Sequence, residues 1–278
     1  MRKQLLRQAL PAFILLLSVP GLALAQTADG LSYQQPPAPI PDILDTRPTP
    51  LSSLSPDRQT LALFERSNLP SIAELAEPML RLAGYRINPR NNGPANSRVT
   101  WLTGLSFQPV AGGAARPVIL PDGARFTSPA WSPDGRAVAL LIDQPTGLEL
   151  WVADVASARA RRLTGPRVNA TTGSGLTWLP DSSGLVVETV PAGRGAAPDV
   201  SRPPSGPTVE ESMARAAPVR TYQDLLANAG DEALFDHYFT SQLVHVPLQG
   251  AIRPIGTPGV ILGTSVSPDG RYLLQTVA

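Results

Sequence analysis

The chemistry open to this chain is narrow, and its residue types say why. It has no cysteine and only two histidines, His237 and His245. Without cysteine there is no thiolate nucleophile, no disulfide framework and no cysteine-based zinc site. A serine nucleophile of the hydrolase type needs the elbow Gly-x-Ser-x-Gly. The nearest stretch, Gly263-Thr264-Ser265-Val266-Ser267, lacks the second glycine and reads as a strand. His245 sits between Val244 and Val246 in an alternating pattern, and His237 sits among the acids of a helical pattern, so both read as structural rather than as members of a Ser/His/Asp triad. Asp236, His237 and His245 have no metal-ligand spacing. We expect no catalytic residue, no metal and no cofactor in this chain. Gly112-Gly113 and Gly173-Ser174-Gly175 lack the strand-to-helix setting of a phosphate loop, and Asn169-Ala170-Thr171 fits a glycan acceptor.

Charge excludes further classes. Only 16% of the 278 residues are charged, and the formal net charge is +1. No basic cluster is interleaved with aromatics, so nucleic acid is not an expected partner. Arg2, Lys3 and Arg7 precede an apolar run that is broken at Pro20-Gly21, and Ala23-Leu24-Ala25 supplies a small-x-small site. This pattern predicts a secretory signal peptide over 1–25, cleaved after Ala25. The run is short for a membrane span. Cleavage removes three of the 23 basic residues and none of the 22 acidic ones, so the mature chain is mildly acidic. We expect a periplasmic or secreted protein with no membrane contact after cleavage. Residues 26–50 read as an extended Pro-rich arm, because each proline fixes its own φ and pushes the preceding residue out of the helical region. Ile40, Ile43 and Leu44 would dock it.

The elements that must position any site come from an internal repeat. Four segments share one pattern: Leu54-Ser55-Pro56-Asp57-Arg58, Trp131-Ser132-Pro133-Asp134-Gly135-Arg136, Trp178-Leu179-Pro180-Asp181-Ser182 and Val266-Ser267-Pro268-Asp269-Gly270-Arg271. Ser-Pro-Asp-Gly suits a type I turn, which also accounts for the repeated Asp57, Asp134, Asp181 and Asp269 without calcium. An apolar run follows each turn, and a hairpin pattern follows that: Leu105–Val110, Leu148–Leu163 and Leu243–Leu248 with their pauses. A unit of about 45 residues with four short strands predicts a blade. We therefore expect an all-β fold: a β-propeller of three complete four-stranded blades and the start of a fourth over 51–278, with short helical insertions at about 65–100 and 191–239. Propellers close with roughly four to eight blades, so the chain looks like the front of a longer protein.

In the first insertion, Ser71 with Glu74 forms a capping box before Ile72–Ala76, and Pro78 stops that helix. In the second, Tyr222 to Asn228 and Asp231 to Tyr238 each read as a short helix. Between Pro191 and Pro218 lies a Pro/Gly/Ser-rich loop.

Three stretches carry a resemblance. Asp42-Ile43-Leu44-Asp45, then Leu69-Pro70-Ser71-Ile72-Ala73-Glu74-Leu75-Ala76, then Leu82-Ala83-Gly84-Tyr85-Arg86-Ile87 resemble the start of the glutamyl endopeptidases of the prolyl oligopeptidase family. Pro218–Leu226 and Leu234-Phe235-Asp236-His237-Tyr238 resemble the same subfamily in the same order. Such enzymes pair an N-terminal propeller with a C-terminal α/β-hydrolase domain that holds a Ser-Asp-His triad. The resemblance implies a serine peptidase cleaving after glutamate, with this chain as the propeller that admits peptide substrate. No triad residue carries over, and the chain alone is expected to be inactive. A glutamate-cleaving enzyme must offset a substrate carboxylate, and Arg220 is the candidate contact; the alternative is that it pairs with Asp224 or faces solvent. The other reading of the whole is a free-standing periplasmic propeller that binds protein partners, since the blade repeat also resembles Tol-system propellers.

Overall fold

A computed structural model of the protein describes residues 36–96, 99–200 and 222–278. The signal segment 1–25, residues 26–35 of the arm, most of the 191–218 loop, Arg220 and Thr221 lie outside the described residues. The chain divides into two compact units, Met1–Leu44 and Asp45–Ala278. In the first unit, α1 spans Ile40–Leu44. Within the arm expected to be extended from its prolines, residues 40–44 instead form one helical turn. Pro39 and Pro41 sit at its start, where a missing N–H costs no intrahelical bond. Ile43 N donates to Pro39 O at 3.2 Å. Ile40, Ile43 and Leu44 are all exposed.

The second unit is mostly β. In chain order it contains β1 (Leu51–Leu54), β2 (Thr60–Arg66), α2 (Ile72–Leu75), β3 (Leu80–Leu82), β4 (Tyr85–Asn88), β5 (Gly93–Pro94), β6 (Leu102–Pro109) and β7 (Arg116–Pro117). It continues with β8 (Phe126–Trp131), β9 (Ala137–Gln144), β10 (Gly147–Asp154), β11 (Arg159–Arg162), β12 (Leu176–Trp178), β13 (Gly184–Thr189), α3 (Ala229–Phe239), β14 (Thr240–Pro247), β15 (Arg253–Val266) and β16 (Leu273–Val277). Every ladder among these strands is antiparallel. The repeats appear as meanders: β1-β2-β6-β7, β8-β9-β10-β11, and β12-β13-β14 with the first half of β15. The second half of β15 pairs with β16. The sheets do not close on one another.

The Ser-Pro-Asp turns join the first two strands of each meander. Gly135 N donates to Ser132 O at 2.9 Å, closing the four-residue turn. Ser132 Oγ donates to Asp134 Oδ1 at 2.6 Å and accepts from Ala137 N at 2.9 Å. The same bonds recur at Ser55/Asp57/Thr60 and Ser267/Asp269/Tyr272. Where Leu179 replaces the serine, Ser183 Oγ donates to Asp181 Oδ1 instead, at 2.7 Å. Hydrogen bonds from these hydroxyls hold Asp57, Asp181 and Asp269 below the usual carboxylate range. The fourth turn position is left-handed: φ is 72° at Gly135 and 70° at Gly270, but Arg58 and Ser182 take it at 60°. Successive turns also touch, since Asp134 N donates to Ser182 Oγ at 3.1 Å.

This predicts a graded cost. Ser132 is 1% exposed, so Ser132→Ala strands a buried amide and should cost about 1–3 kcal/mol. Ser267 makes the same bonds in an exposed turn, so Ser267→Ala should cost less than about 1 kcal/mol. Urea midpoints of the two variants check the order.

The apolar runs of β9 and β13 are buried on both faces because they lie between neighbouring cores, whereas β2 is buried only alternately and β16, at the outer edge, is largely exposed. Val138, Leu140 and Ile142 of β9 join Ala62, Phe64, Leu105 and Phe107 of the first meander. Ala139 and Leu141, on the other face, join Leu148, Leu150 and Val152 and reach Leu185, Val187, Val244 and Val246 of the third. This is alternation at period two, resolved into two cores.

The insertions have a core of their own. β3 and β4, from between β2 and β6, meet α3, from between β13 and β14, through Leu82, Ile87, Leu234, Tyr238 and Phe239. The capping box stands: Ser71 Oγ accepts from Glu74 N at 3.2 Å, and Ser71 N donates to Glu74 Oε2 at 2.6 Å. The expected helix over Tyr222–Asn228 is absent. Asp224 adopts φ of 59°, Arg86 Nε meets its Oδ2 at 3.0 Å, and Gly84 N donates to its carbonyl at 3.0 Å. Tertiary contacts to the β3–β4 turn thus override the local helical tendency. The second expected helix is α3, and it begins two residues earlier than its pattern suggested, behind Asn228, whose side chain caps Asp231 N.

Candidate functional site

The converging insertions set up two adjoining features beside the second and third meanders. The first is an ion cluster. Asp143, at the end of β9, receives Arg90 Nη2 at 2.8 Å and Arg125 at 2.8 Å from Nε and 2.6 Å from Nη2. Its other oxygen accepts from Asn91 Nδ2 at 2.8 Å. Glu77 takes Arg125 Nη2 at 2.5 Å and Arg90 Nη2 at 3.2 Å, and Glu74 takes Arg125 Nη1 at 3.1 Å. Burial pushes Glu77 up, but the bonds from both arginines outweigh it and hold the group below its ordinary value. Arg125 also lies 4.7 Å over the Trp101 ring. The cluster ties the 72–94 insertion to the strands of the second meander.

The second feature is a pocket of about 410 Å³. Four short segments line it: Arg90-Asn91-Asn92 from the β4–β5 turn, Thr146-Gly147 from the β9–β10 hairpin, Pro166-Arg167-Val168, and Val190 to Arg194 after β13. Val168 bridges to Leu148 and to Thr189, so this wall stitches the second and third meanders together. Gly147 is required there, because a Cβ would stand 2.3 Å from Pro166 O. Arg194 is held by Asn92 Oδ1 at 2.9 Å and His237 O at 3.3 Å, with its guanidinium 5.6 Å from the Tyr238 ring centre. Burial pushes Arg194 below its ordinary value. Burial and the Arg194 charge together push His237 down.

Behind the pocket, Asn92 Nδ2 donates to Asn169 Oδ1 at 3.2 Å, and both asparagines donate to Tyr238 O at 3.0 Å. Asn169 is fully buried. Its reading as a glycan acceptor is therefore corrected: the side chain is inaccessible and its amide is taken up by carbonyls of the α3 terminus. Ser265 lies in β15 opposite Leu274, as a strand residue and not an elbow. His245 Nε2 is buried without a hydrogen-bond partner, and no group of three or more metal-ligating side chains occurs among the described residues. Arg220 lies outside the described residues; Asp224, its alternative partner, is engaged by Arg86. Sequence reasoning missed Arg90 and Arg194, because their settings depend on contacts across 53 and 102 residues, and it missed Arg167. No helix among the described residues is long and apolar enough to cross a membrane.

No family model matches the chain. It is 38% identical over 259 residues to a probable glutamyl endopeptidase, chloroplastic, of Oryza sativa subsp. japonica, covering 88% of this chain and 27% of that protein. It is 37% identical over 263 residues to the corresponding protein of Arabidopsis thaliana, covering 90% of this chain and 27% of that one. The chain thus spans about a quarter of the length of the curated relatives it matches. A solved prolyl endopeptidase structure aligns with TM-score 0.43 at 13% identity, over 84% of this chain and 26% of that one. The resemblance read from the insertion motifs holds: the curated relatives at 37–38% identity are named glutamyl endopeptidases.

Proposed function

We propose that this chain, similar to glutamyl endopeptidases over about nine-tenths of its length, is the propeller portion of an exported serine peptidase. In this reading the stacked meanders are blades, and the catalytic α/β-hydrolase domain is carried by sequence outside this chain. The observation that carries the proposal is the identity of 37–38% to those relatives, together with a structure built from repeated, face-to-face meanders. The insertions from the first and third meanders share one core. A joint platform of that kind suits a filter that selects which peptides reach a nucleophile. The leader pattern of residues 1–25 supports export.

The test takes the full-length protein and this chain side by side. A fluorophosphonate should label the full-length serine, and the labelled enzyme should lose cleavage after Glu in a capped peptide. The chain alone should take no label and cleave nothing. Labelling of the chain, or a full-length protein that ignores both reagent and peptide, would overturn the reading.

A further inference from the structure

A surface helix ordinarily shows its charges to water and its apolar side chains to the core. Residues 69–78 do the reverse. Ser71 caps α2. Glu74 is drawn inward to Arg125 at 3.1 Å, and Glu77 to Arg125 at 2.5 Å and Arg90 at 3.2 Å. Leu69, Ile72 and Leu75 stand out instead, at 63%, 85% and 67% exposure. Pro70, Ala73 and Ala76 between them are exposed as well. Single exposed leucines are ordinary. A contiguous apolar strip whose acids are turned inward is the kind of surface that a contact covers. The strip is also held still: the capping box fixes the start of α2, Asn96 Nδ2 donates to Glu74 O, and the ion cluster anchors both acids. A rigid patch loses little freedom when it is covered.

Two observations identify the occupant. The first is place. The insertion leaves between β2 and β6, at the end of the meander away from the Ser-Pro-Asp turn between β1 and β2. The meanders stack through their sheet faces, so a further meander stacked in the same way would not cover this end. The second is size. Three exposed side chains offer a few hundred Å², below the roughly 800 Å² per partner of a stable complex between separate molecules. An occupant on the same polypeptide needs less, because linkage raises its effective concentration. The matched part is 27% of each curated relative, so most of such a polypeptide lies outside it.

We propose that the 69–78 strip is a docking surface for the catalytic domain of the full-length protein, which meets it with an uncharged, apolar surface. The identity of that domain rests on the peptidase reading; the surface belongs to this chain.

The test uses Ile72→Cys, which places one thiol on a chain that has none, at an exposed position. Equal urea midpoints of the wild-type and variant chains show that the fold is intact. Maleimide labelling of tryptic peptide 67–81 is then timed in this chain and in the full-length protein. The chain should react as a free thiol does, and the full-length protein about tenfold or more slowly, because a covered thiol is out of reach. Adding Leu69→Gln and Leu75→Gln should restore the fast rate in the full-length protein while its serine still takes fluorophosphonate. A benzophenone maleimide at position 72 should crosslink to the domain that bears the labelled serine. Equally fast labelling in both proteins would overturn the proposal. So would slow labelling of this chain alone: slowing that grows with concentration means a second copy, and slowing that does not means another segment of this chain. Crosslinks that fall outside the serine-bearing domain would overturn it too. The peptidase reading fails separately, when the full-length protein takes no fluorophosphonate whatever the thiol does.

Discussion

Asp143→Ala should destabilise the chain by about 3 kcal/mol, the low end of the cost of removing one partner from a buried ion pair. The Asp143 side chain is 4% exposed, while the two guanidiniums it joins are 28% and 21% exposed. The substitution would leave Arg90 and Arg125 without their most buried acceptor and Asn91 Nδ2 without its partner. Glu77 retains both arginines, and the partial exposure of the guanidiniums softens their loss, which is why the low end applies. Asp143→Asn keeps the shape and one acceptor and should fall between. Urea unfolding followed by tryptophan fluorescence should show a lower midpoint with an unchanged slope. A shift below about 1 kcal/mol would mean that water replaces the carboxylate and the cluster is not a clasp.

Stability should also fall as pH rises from about 4.5 to about 7, through Glu188. This residue lies in β13 at 8% exposure, and burial pushes its carboxyl up to about 7 from the usual 4.5. The buried Ser241 Oγ lacks a hydrogen bond of good geometry, so it offsets little of that burial. Between the two values the folded chain keeps a proton that the unfolded chain releases, so unfolding gains with pH and ends about 3 kcal/mol easier above pH 7. His237 acts in the opposite sense: its depressed value makes the unfolded state the stronger proton binder below about 6.5. The comparison with Glu188→Gln isolates the carboxyl, since His237 is common to both. The wild-type midpoint should drop relative to Glu188→Gln between pH 5 and pH 8, and parallel curves would show that Glu188 reaches solvent.

What the sequence disclosed follows the range of the interactions concerned. The Ser-Pro-Asp turns were legible because their hydrogen bonds stay within five residues: Ser132 to Asp134, Asp134 to Arg136, Ser132 to Ala137. The hairpin of β10 and β11 was legible for the same reason. The capping box at Ser71 was readable, but the second engagement of Glu74, by Arg125 from 51 residues away, was not. Segment 222–228 has helical composition, yet Asp224 is claimed by Arg86 across 138 residues. Asn169 matched an acceptor tripeptide that says nothing of burial. The pocket was invisible for the strongest version of this reason: its four wall segments come from three different connections and one hairpin.

β15 has a consequence for how the chain can be cut. Its first half pairs with β14 and its second half with β16, with register shifts in both ladders. One continuous strand therefore serves two neighbouring repeats, and no joint exists between them within residues 253–266. A cut between Val260 and Ile261 would leave β14 and β16 each with its own partner but would sever the one segment that ties the two ladders together. A single inserted residue between Ile255 and Val260 would move the faces of both ladders at once, so the repeats inherit their alignment from each other rather than from a linker.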